Sequence, residues 1–389
     1  AQAHIPRNDP TSQLTVGPVW PGRPAHILVA EMQRLSLRGA ALCWLALARC
    51  ATAARLRSET TVTTAEGYLL ATFPGRQQVS YARLPDTAWL PLVPSTGISS
   101  PEALAVDPSS MRLFLADPPV ALVYWYQLEV LEDGRLITDG VQHLAASSVS
   151  ASGIACNSVG TLFMSGLGRG ASPSYGIFKQ EAAEFAKDIP PVPAAIWTPA
   201  NSDLQGFGVQ LSMPSGIAVD SFHVYWGNSV QPTNGSSVVQ AASAAPNRSQ
   251  MQATAFQDAL LATLHPMANN TKQVRGLALT PEGILYATPN AVYGVHLTNS
   301  RQGCDANNVR CPLVSAVQDP TSLVWDGDGT VLVADRGTGS VFCFPSGTIQ
   351  KHQLQKVCEA PGIFGLAFLP ASALKTQEEG GGLLDSLLR

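Results

Sequence analysis

Residues 322–335 read SLVWDGDGTVLVAD, and variants of that string recur along the chain. The others are ALAVDPSSMRLFLAD (103–117), GIACNSVGTLFMSG (153–166), GIAVDSFHVYWGN (216–228) and GLALTPEGILYATP (276–289). A sixth, TVTTAEGYLLATF (61–73), keeps the turn and the second apolar run but opens on threonines. Each copy is an apolar strand ending on a short polar residue, a turn, and a second apolar strand ending on a small or polar residue. Short, near-continuous apolar runs describe strands buried on both faces. Asp107, Asn157, Asp220 and Asp326 stand where strand one stops, and short polar side chains there can accept hydrogen bonds from turn amides. Gly67, Gly160, Gly283 and Gly329 precede strand two and are expected to supply positive φ. A third strand follows each copy, as in VSYARL (79–84), LVYWYQL (122–128) and VFCF (341–344). The sequence after it varies more, as an exposed fourth strand would.

Six such units, each a small antiparallel sheet, pack face to face around an axis as a β-propeller. The expected fold is therefore all-β: a six-bladed β-propeller over residues 58–370. An unpaired apolar segment, GIFGLAFLP (362–370), matches the first-strand pattern with nothing after it. It is expected to return to the first blade as its innermost strand and close the ring. The threonine-rich 61–64 competes for that slot, but Leu366, Ala367 and Phe368 suit the more buried position better.

The pattern P-x-[GAS]-[LI]-[AV]-x-[DNT] followed by G-x-[LV]-[YFL] resembles NHL-type repeats. GIAVDSFHVYWGN is also similar to the YWTD repeat of lipoprotein-receptor propellers, with Tyr225 and Trp226 kept and Gly227 and Asn228 in place of Thr and Asp. More distantly, the strand pattern resembles gluconolactonase-like propellers. These families share a scaffold and little else, so the resemblance implies architecture rather than function. In YWTD-type repeats the acidic position equivalent to Asp117, Asn228 and Asp335 makes hydrogen bonds between blades, and a structural role of that kind is implied here.

A propeller carries its functional groups around the channel mouth, on the loops that lead into the inner strands. Counting two residues back from the first aliphatic of each inner strand gives Glu102, Ser152, Ser215, Arg275, Thr321 and Phe364. The gluconolactonase-like resemblance implies a Glu, an Asn and an Asp holding a divalent cation in such a ring, and only Glu102 matches. A hard cation wants several oxygens, usually with more than one carboxylate. Arg275 stands three blades from Glu102, where it either pairs with it across a water-filled channel or donates to a small polar or carboxylate ligand. The leading expectation is a ligand- or protein-binding module with its ligand site at Glu102, Ser152, Ser215, Arg275 and Thr321. The alternative is a metal-dependent lactonase or esterase at the central channel, the one reading that would call for calcium. No catalytic residue, metal ligand or cofactor is otherwise assigned. The histidines fall in different units with no triad spacing, there is no G-x-S-x-G elbow, and GLGRG (166–170) has no helix pattern behind it to cradle phosphate.

Two long insertions, 167–212 and 229–272, interrupt the repeats. Trp197, set among prolines, is the expected protein-binding position, on the reasoning that long loops on a rigid scaffold carry partner contacts. The second insertion holds the sequons Asn234, Asn247 and Asn269, expected as glycosylation sites on a loop.

Composition agrees with this reading and narrows the partners. The 389 residues are 45% hydrophobic and only 13% charged, against ~25% charged in a usual domain, as buried repeated strands require. Acids outnumber bases by 28 to 24, which disfavours nucleic acid. From Met32, MQRLSLRGAALCWLALARCATAA has the basic start, apolar core and Ala-Thr-Ala site of a signal peptide (32–53). Residues 1–31, Pro-rich and without an initiator Met, are read as a disordered leader from an over-extended gene model, and residues 371–389 as a flexible tail. The expected product is a secreted or lumenal monomer with no stable membrane insertion. In an oxidising compartment Cys304 with Cys311, and Cys343 with Cys358, are each placed to close a local disulfide.

Overall fold

A computed structural model describes residues 64–187, 192–202, 211–229, 236–244, 253–297, 312–347 and 349–374. The described elements all belong to one unit, Val62–Arg389. The leader, the signal segment, Cys304, Cys311, Asn234, Asn247 and all but the first residues of the tail lie outside the described residues.

The chain builds six antiparallel sheets, each a blade of a β-propeller. Blade 1 contains β1 (Gly67–Phe73), β2 (Gln78–Leu84) and β3 (Leu90–Val93). Blade 2 runs β4 (Leu104–Asp107), β5 (Arg112–Asp117) and β6 (Leu122–Val130), with β7 (Leu136–Thr138) and β8 (His143–Ser147) both pairing with β6. Blade 3 is β9 (Val149–Cys156), β10 (Leu162–Gly168), β11 (Ser174–Gln180) and β12 (Ala194–Trp197). Blade 4 is β13 (Pro214–Val219), β14 (His223–Asn228), β15 (Ser236–Ala242) and β16 (Leu264–Thr271). Blade 5 is β17 (Leu277–Leu279), β18 (Gly283–Thr288), β19 (Ala291–His296) and β20 (Pro312–Val314). Blade 6 is β21 (Pro320–Trp325), β22 (Thr330–Asp335), β23 (Ser340–Pro345) and β24 (Gln355–Glu359). The last strand, β25 (Leu366–Pro370), pairs with β1 as the innermost strand of blade 1, with Leu69 opposite Phe368 and Gly67 opposite Pro370. That pairing closes the ring without a covalent link, as the orphan segment implied.

Six apolar clusters hold the ring together, one at each interface between neighbouring blades among the described residues. Double-faced burial of the inner strands follows from this arrangement, because each sheet packs against a neighbour on both sides. The polar residues ending strand one do what their chemistry predicts. Asp326 Oδ1 accepts from the amides of Asp328, Gly329 and Thr330 at 3.0–3.2 Å. Asp220 Oδ1 accepts from Phe222 and His223, both at 2.7 Å, and Asn157 Oδ1 from Val159 and Thr161. Asp107 takes the Ser109 amide and the hydroxyls of Ser109 and Ser110.

The turn glycines divide differently. Gly160 has the expected positive φ of 76°, but Gly67, Gly283 and Gly329 do not, and in DGDG the left-handed residue is Gly327 at 86°. Gly67 and Gly283 are needed for space: a Cβ there would lie 2.5 Å from the Leu369 carbonyl and 2.2 Å from the Val295 carbonyl.

Several other expectations are corrected by burial and register. Trp197 is fully buried on β12, where its Nε1 donates to the Ala242 carbonyl at 3.0 Å and its ring lies 6.1 Å from that of Trp226. It packs into the core between blades 3 and 4, so its side chain has no exposed surface. Asn269 lies within strand β16 rather than in a loop. Cys343 and Cys358 are free, buried thiols. Cys358 pairs with Val341, whereas Cys343 pairs with Gln355, so the two sit diagonally across the strand pair instead of opposite each other. Burial pushes both thiols up to about 11, away from the reactive thiolate. The second insertion also holds a helix, α1 (Ala253–Thr263), which buries Phe256 and Leu260 against the blade 3–4 core. No described helix is long and apolar enough to cross a membrane.

Candidate functional site at the channel mouth

Each inner strand begins near the axis, so the residue just before it faces the channel and the next must let neighbouring strands approach. The six positions after the mouth residues are Ala103, Gly153, Gly216, Gly276, Ser322 and Gly365, all small. A Cβ on Gly153 would meet the Ser215 carbonyl at 2.1 Å, and one on Gly365 the Glu102 carbonyl at 2.2 Å. This layer pinches the channel to a cavity of about 70 Å³. Above it the mouth opens into a cavity of about 360 Å³. Glu102, Ser152, Ser215, Arg275, Thr321 and Phe364 all line that upper cavity, so the six positions picked out by repeat counting converge.

Their hydrogen bonds show how the ring is latched. Ser152 Oγ donates to the Pro214 carbonyl at 3.1 Å, Ser215 Oγ to the Val274 carbonyl, and Thr321 Oγ1 to the Phe364 carbonyl at 2.5 Å. Thr72 Oγ1 likewise donates to the Glu102 carbonyl at 2.8 Å. Each hydroxyl thus grips the chain leading into the next blade. A hydroxyl has one proton to donate and two lone pairs, so these groups face a ligand mainly as acceptors.

Arg275 does not pair with Glu102. Its Nη1 donates to Asp319 Oδ1, and Arg336 Nε donates to Asp319 Oδ2 at 2.7 Å. One carboxylate therefore holds two guanidiniums, and the Arg336 group also lies over the Phe364 ring at 5.5 Å. Burial, reinforced by the charge of Arg336, pulls the Arg275 pKa below its ordinary value. Asp319 is placed by Asp335, which is fully buried at the end of β22. Asp335 accepts from the amides of Asp319 at 2.7 Å and Gln318 at 3.1 Å, and from Thr338 Oγ1 at 2.9 Å. Asp117 does the same in blade 2, accepting from the Ser99 and Ser100 amides, and Asn228 Oδ1 takes the Ser212 amide. These end-of-strand residues pin the crossover into their own blade.

Repeat counting missed Arg336, Asp319, Tyr175, Met213 and Gln273 at or beside the mouth. Arg336 did leave a signal. It directly follows the residue ending strand two, where the other copies carry Pro118, Leu167, Ser229, Pro289 and Pro74.

Glu102 lines both cavities, and no described residue forms a hydrogen bond or ion pair with its carboxylate. Burial raises its pKa, the charge of Asp117 adds to the rise, and Arg336 opposes it. A carboxyl whose pKa is raised on folding supports the fold while protonated and loses that support as pH rises through its folded pKa. Glu102→Gln therefore raises the melting temperature at pH 7, by a small amount because the group is partly solvated. The gain fades as pH falls into the ordinary carboxylate range. Melting curves of both proteins between pH 4 and pH 8 check this, and a gain independent of pH would contradict it.

The donor set does not suit a divalent cation. Among the described residues there is no group of three or more His, Cys, Asp or Glu side chains that could hold a metal. The hydroxyls beside Glu102 are committed to carbonyls, and the other charges at the mouth are the two guanidiniums and the Asp319 carboxylate that they already bind.

No family model matches the chain, and no curated protein matches it in sequence. Solved structures do. A chain in the crystal structure of a nidogen/laminin complex is 14% identical, with a TM-score of 0.52 over 78% of this chain and 98% of that one. TolB from Acinetobacter baumannii is 8% identical, with a TM-score of 0.50 over 78% and 67%. XC5397 from Xanthomonas campestris, a gluconolactonase, is 14% identical, with a TM-score of 0.48 over 78% and 89%. At such identities the likeness is one of fold.

Proposed function

We propose that this propeller is a secreted or lumenal binding module whose channel mouth takes a small ligand through an oxyanion group. The observation that carries this reading is the pair of guanidiniums, Arg275 and Arg336, sharing one carboxylate at the wall of a cavity of about 360 Å³. Small-molecule sites begin at roughly 300 Å³. A guanidinium has five N–H donors, so each arginine keeps spare donors after its bond to Asp319. Asp319 neutralises one of the two positive charges, which leaves the other for a ligand carboxylate or phosphate. The compartment rests on residues 32–53 and would be checked by N-terminal sequencing of the protein recovered from a eukaryotic culture medium. Hydrolysis is the weaker reading, because the described residues of the mouth supply neither a metal-binding set nor a nucleophile–base pair.

The test is a calorimetric titration of wild type, Arg275→Met and Arg336→Met with a panel of short carboxylates and phosphate monoesters. At least one compound is expected to bind wild type and to lose tenfold or more in affinity, about 1.4 kcal/mol, in each variant. Binding that ignores both substitutions, or no binding across the panel, would count against the proposal.

A further inference from the structure

The mouth is dipolar rather than simply basic. Arg275 and Arg336 outweigh Asp319 by one charge on the side of blades 5 and 6. Glu102, in the loop before β4 of blade 2, lines the same cavity; among the described residues its carboxylate makes no hydrogen bond or ion pair, and Arg336 acts on it through charge alone. A ligand bearing only an anion would satisfy the arginines but bring like charge toward Glu102. One bearing only a cation would satisfy Glu102 and oppose the arginines. Confinement weakens solvent screening, so either mismatch is costly and acts as a selection against mono-ions.

Among the uncharged residues around the rest of the mouth, Tyr175, Met213 and Pro214 supply apolar surface beside serines and Gln273. Met213 directly precedes β13, Pro214 opens it, and Tyr175 lies on β11. Met213 holds a left-handed backbone, φ 45°, which a methionine adopts only where its surroundings enforce it. Here the Ser229 amide donates to the Met213 carbonyl at 3.0 Å, and the Ser212 amide donates to Asn228 at 3.0 Å, fixing the turn. The residue is left 39% exposed at the cavity rim, available to an aliphatic surface.

We infer that the mouth ligand is a small zwitterion, with an ammonium group on Glu102, a carboxylate on the Arg275–Arg336 pair, and an aliphatic body against Met213 and Tyr175. This rests on the reading of the mouth as an oxyanion site and adds the second charge to it. Hydroxyls of Ser152, Ser215 and Thr321, with their protons already donated, are suited to accept from an ammonium as it passes along the ring.

The test uses the full chain and a series of ω-amino acids: glycine, 4-aminobutanoate and 6-aminohexanoate. Each is paired with the n-alkylamine and the alkanoate of the same carbon count, and titrated by calorimetry into wild type, Glu102→Gln and Arg336→Gln. One chain length is expected to bind at least tenfold more tightly than both of its mono-ionic counterparts. Its advantage over the alkanoate should vanish in Glu102→Gln, and its advantage over the alkylamine in Arg336→Gln. Unfolding transitions of both variants, measured alongside, establish that the ring is intact. If alkanoates bind as tightly as the amino acids and Glu102→Gln changes neither, the zwitterion assignment is overturned while the oxyanion site stands. If no probe binds, or binding ignores Arg336→Gln as well, both fall.

Discussion

A chain ending at Pro361 is expected to show no cooperative unfolding transition. The truncation removes β25, and with it the inner strand of blade 1. Leu366, Ala367, Phe368 and Leu369 are all buried. Ala367 and Leu369 belong to the cluster between blades 1 and 2, while Leu366 and Phe368 belong to the one between blades 6 and 1. One strand therefore serves two of the six interfaces. Burying an aliphatic or aromatic side chain contributes about 1.5–3 kcal/mol, so three large residues bring the loss to the order of the whole stability of a domain, roughly 5–15 kcal/mol. The truncation also leaves the fully buried β1 as an open, apolar edge, a template for aggregation. Circular dichroism on heating would show a sloping baseline in place of a sigmoid. A cooperative transition in the truncated protein would contradict closure by β25.

The second large effect is expected at Asp335, which has no solvent contact. Asp335→Ala strands the amides of Gln318 and Asp319 and the hydroxyl of Thr338, all of which bond to this buried carboxylate. Breaking a buried, multiply bonded carboxylate costs about 3–5 kcal/mol. Asp335→Asn keeps one acceptor oxygen and costs less. The consequence reaches the mouth, because Asp319 is the carboxylate that orients Arg275 and Arg336. Urea unfolding and ligand titration of the same variant should therefore worsen together. A loss of stability with full ligand affinity would show that the arginines do not depend on this anchor.

Most of the fold was legible because the inner strands are buried on both faces, which imposes the same apolar string on every blade. The turn carboxylates at Asp107, Asp220 and Asp326 were equally legible, since their partners are amides two to four residues away. Contacts that depend on register between distant strands left no such trace. Trp197 looked exposed among prolines, yet it is AAIW, a short outer strand whose last residue turns into the blade 3–4 core. Helix α1 was hidden in a polar insertion, where Phe256 and Leu260, four residues apart, were its only apolar stripe of consequence. At the mouth, position could be counted but partnership could not. The ring residues converge as counted, whereas the partner of Arg275 is Asp319, in a crossover outside the repeat. The serine and threonine hydroxyls read as ligand groups are also latches between blades, a use visible only once the neighbouring carbonyls are in place.

The central claim is that Arg275 and Arg336 together receive an oxyanion at the channel mouth. It is tested most directly by following their side-chain Nε–H signals in protein labelled with ¹⁵N-arginine during titration with butanoate and 4-aminobutanoate. Both signals, assigned by their loss in Arg275→Met and Arg336→Met, should shift saturably and with one common affinity. Signals that stay fixed with both probes, or that drift linearly without saturation, would contradict it.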